Sequence, residues 1–163
     1  MDVGVRSAKL SATKRFKTCS EDMAMCAICG EGDWDDDNKI LFCDSCDLSV
    51  HQVCYGSGAN HVPKGPWYCD ACTDARRSGS RCQPTCVLCP NKGGALKRTA
   101  DWRWAHIVCA LWIPEAEFLD EGGRDIINTC SVNPARCDLA CSLCDSSGVS
   151  PANPQHFMEA LPD

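Results

Sequence analysis

Cysteine pairs two residues apart recur along this chain at spacings that suit a metal ion. Cys26 and Cys29 form the first pair, and thirteen residues later Cys43 and Cys46 form the second. His51 and Cys54 follow, and after fourteen more residues Cys69 and Cys72 complete the set. A C-x2-C pair turns the backbone so that both sulfurs face one ion, and tetrahedral zinc takes two such pairs. Four pairs therefore supply two closed sites. Cys86 and Cys89, with His106 and Cys109 sixteen residues on, make a third donor set of the same kind. His and Cys three apart lie on one side of a helical turn.

The competing chemistry is a disulfide framework, because 16 cysteines in 163 residues would also suit a secreted scaffold. Residues 1–20 speak against it. They contain no apolar run of signal-peptide length and end in the basic stretch Lys14-Arg15-Phe16-Lys17. No stretch approaches the roughly 20 apolar residues of a membrane span. The expectation is a reducing, intracellular setting with no membrane partner. Pieces this small bury little apolar core. The metal must then supply much of the folding energy, on the order of 10–16 kcal/mol per structural zinc.

The stretch from Cys26 to Cys72, with Trp67 two residues before the seventh donor, resembles the PHD finger family. The resemblance implies an interleaved cross-brace. Cys26, Cys29, His51 and Cys54 would hold one zinc, and Cys43, Cys46, Cys69 and Cys72 the other. RING fingers share the cross-brace but usually place histidine fourth. The stretch Cys86-Val-Leu-Cys-Pro-Asn-Lys-Gly-Gly-Ala-Leu-Lys-Arg, then Trp104-Ala-His-Ile-Val-Cys-Ala-Leu-Trp-Ile-Pro-Glu, resembles the zinc knuckle of an extended PHD module. That module follows a PHD finger in Jade, bromodomain-PHD scaffold and AF-type chromatin proteins. The tandem resemblance spans roughly residues 24–144. It makes Cys86, not the extra Cys82, the knuckle donor.

The implied fold class is small zinc-stabilised α+β, a cross-brace finger plus a Cys-Cys-His-Cys knuckle with little regular secondary structure. The expected divisions are a basic tail (1–22), the finger (23–75), a linker (76–81), the knuckle (82–128) and the opening of a second, incomplete PHD finger (129–163). In the finger, Lys39–Phe42 reads as a short strand, and Phe42, Leu48, Val50 and Trp67 as its core. In the knuckle, His106–Leu111 reads as a short helix stopped before Pro114. Cys141 and Cys144 would open the second finger but offer one zinc only two thiolates. Cys130 and Cys137 are poorly spaced to complete that site, and Cys19 has no assigned partner. Three zinc ions are expected and a fourth is not. Residues from about 130 onward, poor in large apolar side chains, are expected to be loosely ordered.

Charge divides along the same lines. The net charge of −6 hides nine acids against Lys39 and Lys64 in residues 26–74, and seven basic side chains against Asp101 alone in residues 75–106. An acidic finger suits a basic peptide, and a basic module suits phosphate. PHD fingers commonly read the histone H3 tail, which implies a tail site here. The strand Lys39, Ile40, Leu41 and Phe42 would pair with an extended peptide. Asp33, Asp35, Asp36, Asp37 and Asp44 would receive its basic side chains, and carbonyls around Pro63, Lys64 and Gly65 its amino terminus. Trimethyl-lysine needs an aromatic cage. Family members with a cage carry tryptophan where this chain has Ser49, so unmodified lysine at the fourth tail position is preferred. Arg76, Arg77, Arg81, Lys92, Lys97, Arg98 and Arg103 are the expected nucleosomal DNA contacts. The expected setting is the nucleus, within a larger histone-modifying complex. No enzyme chemistry is expected, because the donor sets are closed and neither H-E-x-x-H nor a zinc-deaminase pattern occurs. A RING-like ubiquitin ligase and a plain interaction scaffold are the alternatives.

Overall fold

Each donor pair turns the chain back on itself, so the elements between them are short. The structure is a computed structural model and describes residues 24–80, 82–120 and 123–138. A polar loop leads into β1 (Ile40–Phe42), which pairs antiparallel with β2 (Ser49–His51), Leu41 opposite Val50. The Cys43–Cys46 turn joins them, and Asp47 adopts φ +58° to close it. Side chains alternate along a strand. Leu41 therefore faces inward while Phe42 is 53% exposed. Phe42 is thus not a core residue, and Leu41 takes the place expected for it. Leu48, Val50 and Trp67 are buried as expected.

Helix α1 (Gln52–Tyr55) starts directly after His51, which puts His51 and Cys54 on one turn. Helix α2 (Asp70–Ser78) carries Cys72 and runs on through Arg76 and Arg77 to Gly79. Gly79 ends it with φ +69°, a left-handed stop that glycine adopts without Cβ strain. The expected linker therefore begins as the last turn of a helix. Its charges suit the helix dipole, with Asp70 in the first turn and the arginines in the last.

The second module is built on β3 (Leu96–Thr99), β4 (Trp104–His106), α3 (Ile107–Trp112), β5 (Glu117–Phe118) and β6 (Ile126–Asn128). The sheet order is β4-β3-β6-β5. Only β3 and β6 run parallel. Helix α2 packs on β3, and α3 packs on β4 and β5. The β3–β4 hairpin turns through Trp102, at φ +64° and 80% exposed. Helix α3 starts one residue later than expected, because His106 ends β4 and serves as its extended N-cap.

The finger and the knuckle share their cores. The finger core of Leu41, Leu48, Val50, Tyr55 and Trp67 includes Ala95 and Ile107 from the knuckle. Ala71 and Phe118 touch both cores. Residues 130–138 also have fixed contacts, against the expectation of loose order from about 130. Val132 packs on the knuckle core, Pro134–Asp138 form a 3-10 turn, and Arg136 pairs with Glu115 at 2.5 Å. Cys141, Cys144 and the basic tail lie outside the described residues. Among the described residues, no helix is long and apolar enough to cross a membrane.

Candidate functional site

Among the described residues, three clusters of donors form, each with its four ligand atoms within 4.8 Å of one another. They are Cys26, Cys29, His51 and Cys54; Cys43, Cys46, Cys69 and Cys72; and Cys86, Cys89, His106 and Cys109. The first two interleave along the chain, as a cross-brace requires. The edges fit zinc. Zn–S bonds of about 2.3 Å at tetrahedral angles imply sulfur–sulfur edges of roughly 3.8 Å. Cys46–Cys69 and Cys86–Cys109 both measure 3.8 Å. The histidine edges, Cys29–His51 Nδ1 at 3.3 Å and Cys89–His106 Nδ1 at 3.1 Å, are shorter, as the shorter Zn–N bond demands.

The second ring nitrogen fixes which one binds. His51 Nε2 donates to the Asp33 carbonyl at 2.7 Å, and His106 Nε2 donates to the Gly93 carbonyl at 2.6 Å. A nitrogen facing a carbonyl must carry the proton, which leaves the Nδ1 lone pair toward the sulfurs. Gly93 and Gly94 aim that carbonyl by taking φ +76° and +75° in succession. This is the physical reason for a Gly-Gly pair at that point.

The thiols, taken by themselves, ionise unequally. Burial pushes Cys46 and Cys54 up to about 12. Burial also opposes ionisation of Cys26 and Cys43, yet backbone amides turned onto their sulfurs hold them below the ordinary thiol range. In the knuckle, hydrogen bonds from Cys109 and Cys89 hold Cys86 far down and leave Cys109 far up. Burial disfavours a charged His106, but Cys86 and Cys89 outweigh it and raise the imidazole to about 10. Four donors this close call for positive charge among them. A dication supplies it and takes all the cysteines as thiolates, releasing their protons.

Beside these centres lies an open strand edge. The Cys43 amide donates to Leu48, and the Gln52 amide to Lys39, so positions 39, 41 and 43 face β2. In an antiparallel ladder the intervening residues face outward. The backbone groups of Ile40 and Phe42 therefore point away from β2, and no described residue pairs with them. The opposite edge of the hairpin is covered. Ala27 donates to the Ser49 carbonyl and the His51 amide points at Cys26 Sγ. The open edge stops at Asp44, whose amide donates to the Trp67 carbonyl at 2.9 Å and whose carboxylate accepts the Trp67 amide at 2.8 Å. Exposed Pro63, Lys64 and Gly65 lead into that point.

The acids divide by role. Asp35 accepts the Asp37 and Asn38 amides and so shapes its own loop. Asp36 pairs with Lys39 at 3.1 Å, and Asp44 commits one oxygen to Trp67. Asp33 and Asp37 are exposed. Ser49 donates to the Met25 carbonyl at 2.7 Å.

The basic run divides more sharply. Lys97 is fully buried, its ammonium between Asp70 at 2.8 Å and Asp125 at 3.0 Å. It is no phosphate contact, because its place on β3 turns it into the protein. Arg98 stacks 4.1 Å over Trp104 and pairs with Asp74 at 2.5 Å. Arg103 pairs with Asp101 at 2.6 Å. Arg76 lies 4.2 Å over the Tyr68 ring. Arg76, Arg77 and Lys92 are exposed, and Arg81 lies outside the described residues. Tyr55 and the Lys97 partners Asp70 and Asp125 are the residues that sequence reasoning missed. A lysine flanked by Leu96 and Arg98 gives no sign of burial until the sheet is built.

Comparison with known proteins places these centres in company. A PHD-finger model matches residues 37–73, and a PHD-zinc-finger-like domain model matches residues 84–152. The chain is 44% identical over 131 residues to a fruit-fly (Drosophila melanogaster) bromodomain-containing protein homolog. It is 44% identical over 130 residues to human bromodomain and PHD finger-containing protein 3. These matches take in 79% of this chain but only 9% and 10% of those proteins. Bovine protein Jade-1 is 39% identical over 127 residues, 77% of this chain and 23% of that protein. The crystal structure of zebrafish PHF14-PZP superposes with a TM-score of 0.61 at 32% identity, covering 77% of this chain and 64% of that one.

Proposed function

The chain carries a PHD finger and a PHD-like zinc-finger domain homologous to those of bromodomain-PHD and Jade-type proteins, and from that premise we propose that it is a chromatin reader. Its finger receives the histone H3 amino-terminal tail. The observation that carries this reading is the open outer edge of β1 beside exposed carboxylates. An extended peptide completes that edge by strand addition. With its amino terminus at Pro63–Gly65, beyond Phe42, the peptide runs antiparallel to β1. Its later residues then pass the aspartate loop that precedes Ile40. Asp33, Asp36 and Asp37 suit an arginine or an ammonium that can still donate. No tryptophan stands at position 49 to build a cage for a quaternary one.

Calorimetry with synthetic tails tests this. Unmodified tail binds in the micromolar range, about −8 to −7 kcal/mol. Trimethylation of the fourth residue weakens it, and acetylation of the terminal amine weakens it further. Tighter binding of the trimethylated tail would overturn the proposal.

The exposed Arg76 and Arg77 on the last turn of α2, with Lys92 and Arg103, support a weak contact with nucleosomal DNA. Such contact is independent of sequence and falls with salt. Reversing Arg76 and Arg77 to glutamate lowers duplex affinity for all sequences alike. Equal affinity in that variant would leave these arginines as a solvated face. The setting that fits both contacts is the nucleus, in a histone-modifying assembly.

A further inference from the structure

Lys97 crosses from the knuckle into the finger. It sits on β3 with no exposure, and its ammonium lies 4.1 Å over the ring of Tyr55. Of its two carboxylate partners, Asp70 belongs to the finger side and Asp125 to the knuckle side. Burying an ammonium is costly unless it is paired, and both carboxylates lie within ion-pair distance of this one. Asp125 is tied in turn to Ser57 of the finger.

The contacts continue inward. Tyr55 accepts the Asp70 amide at 2.7 Å and meets Trp67 edge-on, with ring centroids 5.3 Å apart. The Trp67 indole donates to the Gly58 carbonyl at 2.9 Å. Gly58 lies so close that a methyl group there would meet Asp70 at 3.2 Å, Tyr55 at 3.4 Å and Lys97 at 3.5 Å. Trp67 then brackets Asp44 through two backbone contacts at the end of the open β1 edge. A packed path with no gap thus joins Lys97 to the point where the edge stops.

We propose that Lys97 is a positioning residue for the peptide site, by which the knuckle fixes Tyr55 and Trp67 and so sets the end of the edge. The proposal rests on the reading of the finger as a tail binder. Its consequence is that tail affinity depends on the knuckle being folded, although every residue assigned to the peptide belongs to the finger. The register of β3 ties this to the third metal centre, because Leu96 pairs directly with the ligand His106.

The neighbouring Arg98 is the control. It crosses the same boundary to Asp74 but packs on Trp104 and donates to the Trp102 carbonyl, away from Tyr55 and Trp67. The test compares Lys97→Met with Arg98→Ala in the full zinc-loaded chain. Native mass spectrometry counts the metal, NMR follows the Trp67 indole and the Phe42 and Asp44 amides without peptide, and calorimetry reads tail affinity. Lys97→Met should keep three zinc ions. It should also shift the Trp67 and Asp44 signals and weaken unmodified tail by about tenfold. Arg98→Ala should leave those signals and that affinity in place. A folded Lys97→Met protein with unmoved Trp67 signals and unchanged affinity overturns the proposal. If Lys97→Met does not fold, Asp125→Asn, which weakens the Lys97 contact together with the Asp125–Ser57 tie, is read by the same criteria, with Ser57→Ala as the control for that tie. If wild-type protein binds no tail, the reader proposal fails, and the peptide-free NMR shifts alone decide the role of Lys97.

Discussion

The finger and the knuckle reach order by different means. The finger spends eight donors on two metal centres and has a two-stranded sheet of three-residue strands. Its core borrows Ala95 and Ile107 from its neighbour. The knuckle has one centre but a four-stranded sheet over Leu88, Leu96, Trp104, Ala105, Ile113 and Ile127, all buried. Where apolar side chains are scarce, metal replaces them as the source of cohesion. Where a sheet can close over a core, one ion suffices. The finger is also left with an open edge along β1, where no described residue pairs with Ile40 or Phe42.

Chelation puts this contrast under the greatest strain. Each structural zinc contributes on the order of 10–16 kcal/mol, so a strong chelator unfolds the finger outright. Hydrogen exchange should show β1 and β2 amides losing all protection while β3 and β6 amides keep some. Simultaneous loss everywhere would mean that the knuckle core is no more self-sufficient than the finger. The complementary change is Ile127→Ala. It removes a fully buried side chain from the knuckle core and should cost about 2–5 kcal/mol in denaturant unfolding. A cost under about 1 kcal/mol would transfer the burden back to the metal.

A subtler probe asks how far the shared boundary unites the two. Breaking Arg98–Asp74 with Arg98→Ala removes a half-exposed pair that also stacks on Trp104. Stability should fall by about 1 kcal/mol. Two separate thermal transitions in that variant would show that finger and knuckle were held together mainly there. Trp102→Gly should do least. The left-handed position costs a side chain roughly 1–2 kcal/mol, while glycine adds roughly 0.5–1 kcal/mol of unfolded-state entropy. Thermal unfolding should therefore stay put or rise slightly, and a clear fall would show that the exposed indole has a packing role.

The metal centres were legible because donor spacing is local chemistry: two residues between cysteines force a turn whatever surrounds it. The strand expected at Lys39–Phe42 and the helix expected at His106–Leu111 each lie within one residue of β1 and α3. Phe42 was misplaced because a three-residue strand is too short to show its alternation, and only pairing with β2 decides which side chains face in. The helical character of Arg76 and Arg77 was hidden by Ser-Gly-Ser beyond them, which marks the end of α2 rather than a linker from its start. Lys97 was unreadable for a deeper reason. Its partners Asp70 and Asp125 are 27 and 28 residues away along the chain, on elements that meet only when both modules have folded. A charge counted in a run says nothing about which way its strand will face.

The open edge of β1 also bears on what the molecule avoids. An unpaired strand edge can template pairing with another copy of the same chain. Here the edge is only three residues long, and the loop before it carries Asp33, Asp35, Asp36 and Asp37. Two copies pairing in parallel through this edge would bring two acidic loops together, and like charges repel. A basic strand meets no such barrier. Under the proposed reading, the carboxylates that favour a basic strand would also oppose pairing of two copies through β1. Salt shortens the reach of that repulsion to about 3 Å at 1 M. Concentrated protein in high salt is therefore where self-association through β1 should first appear.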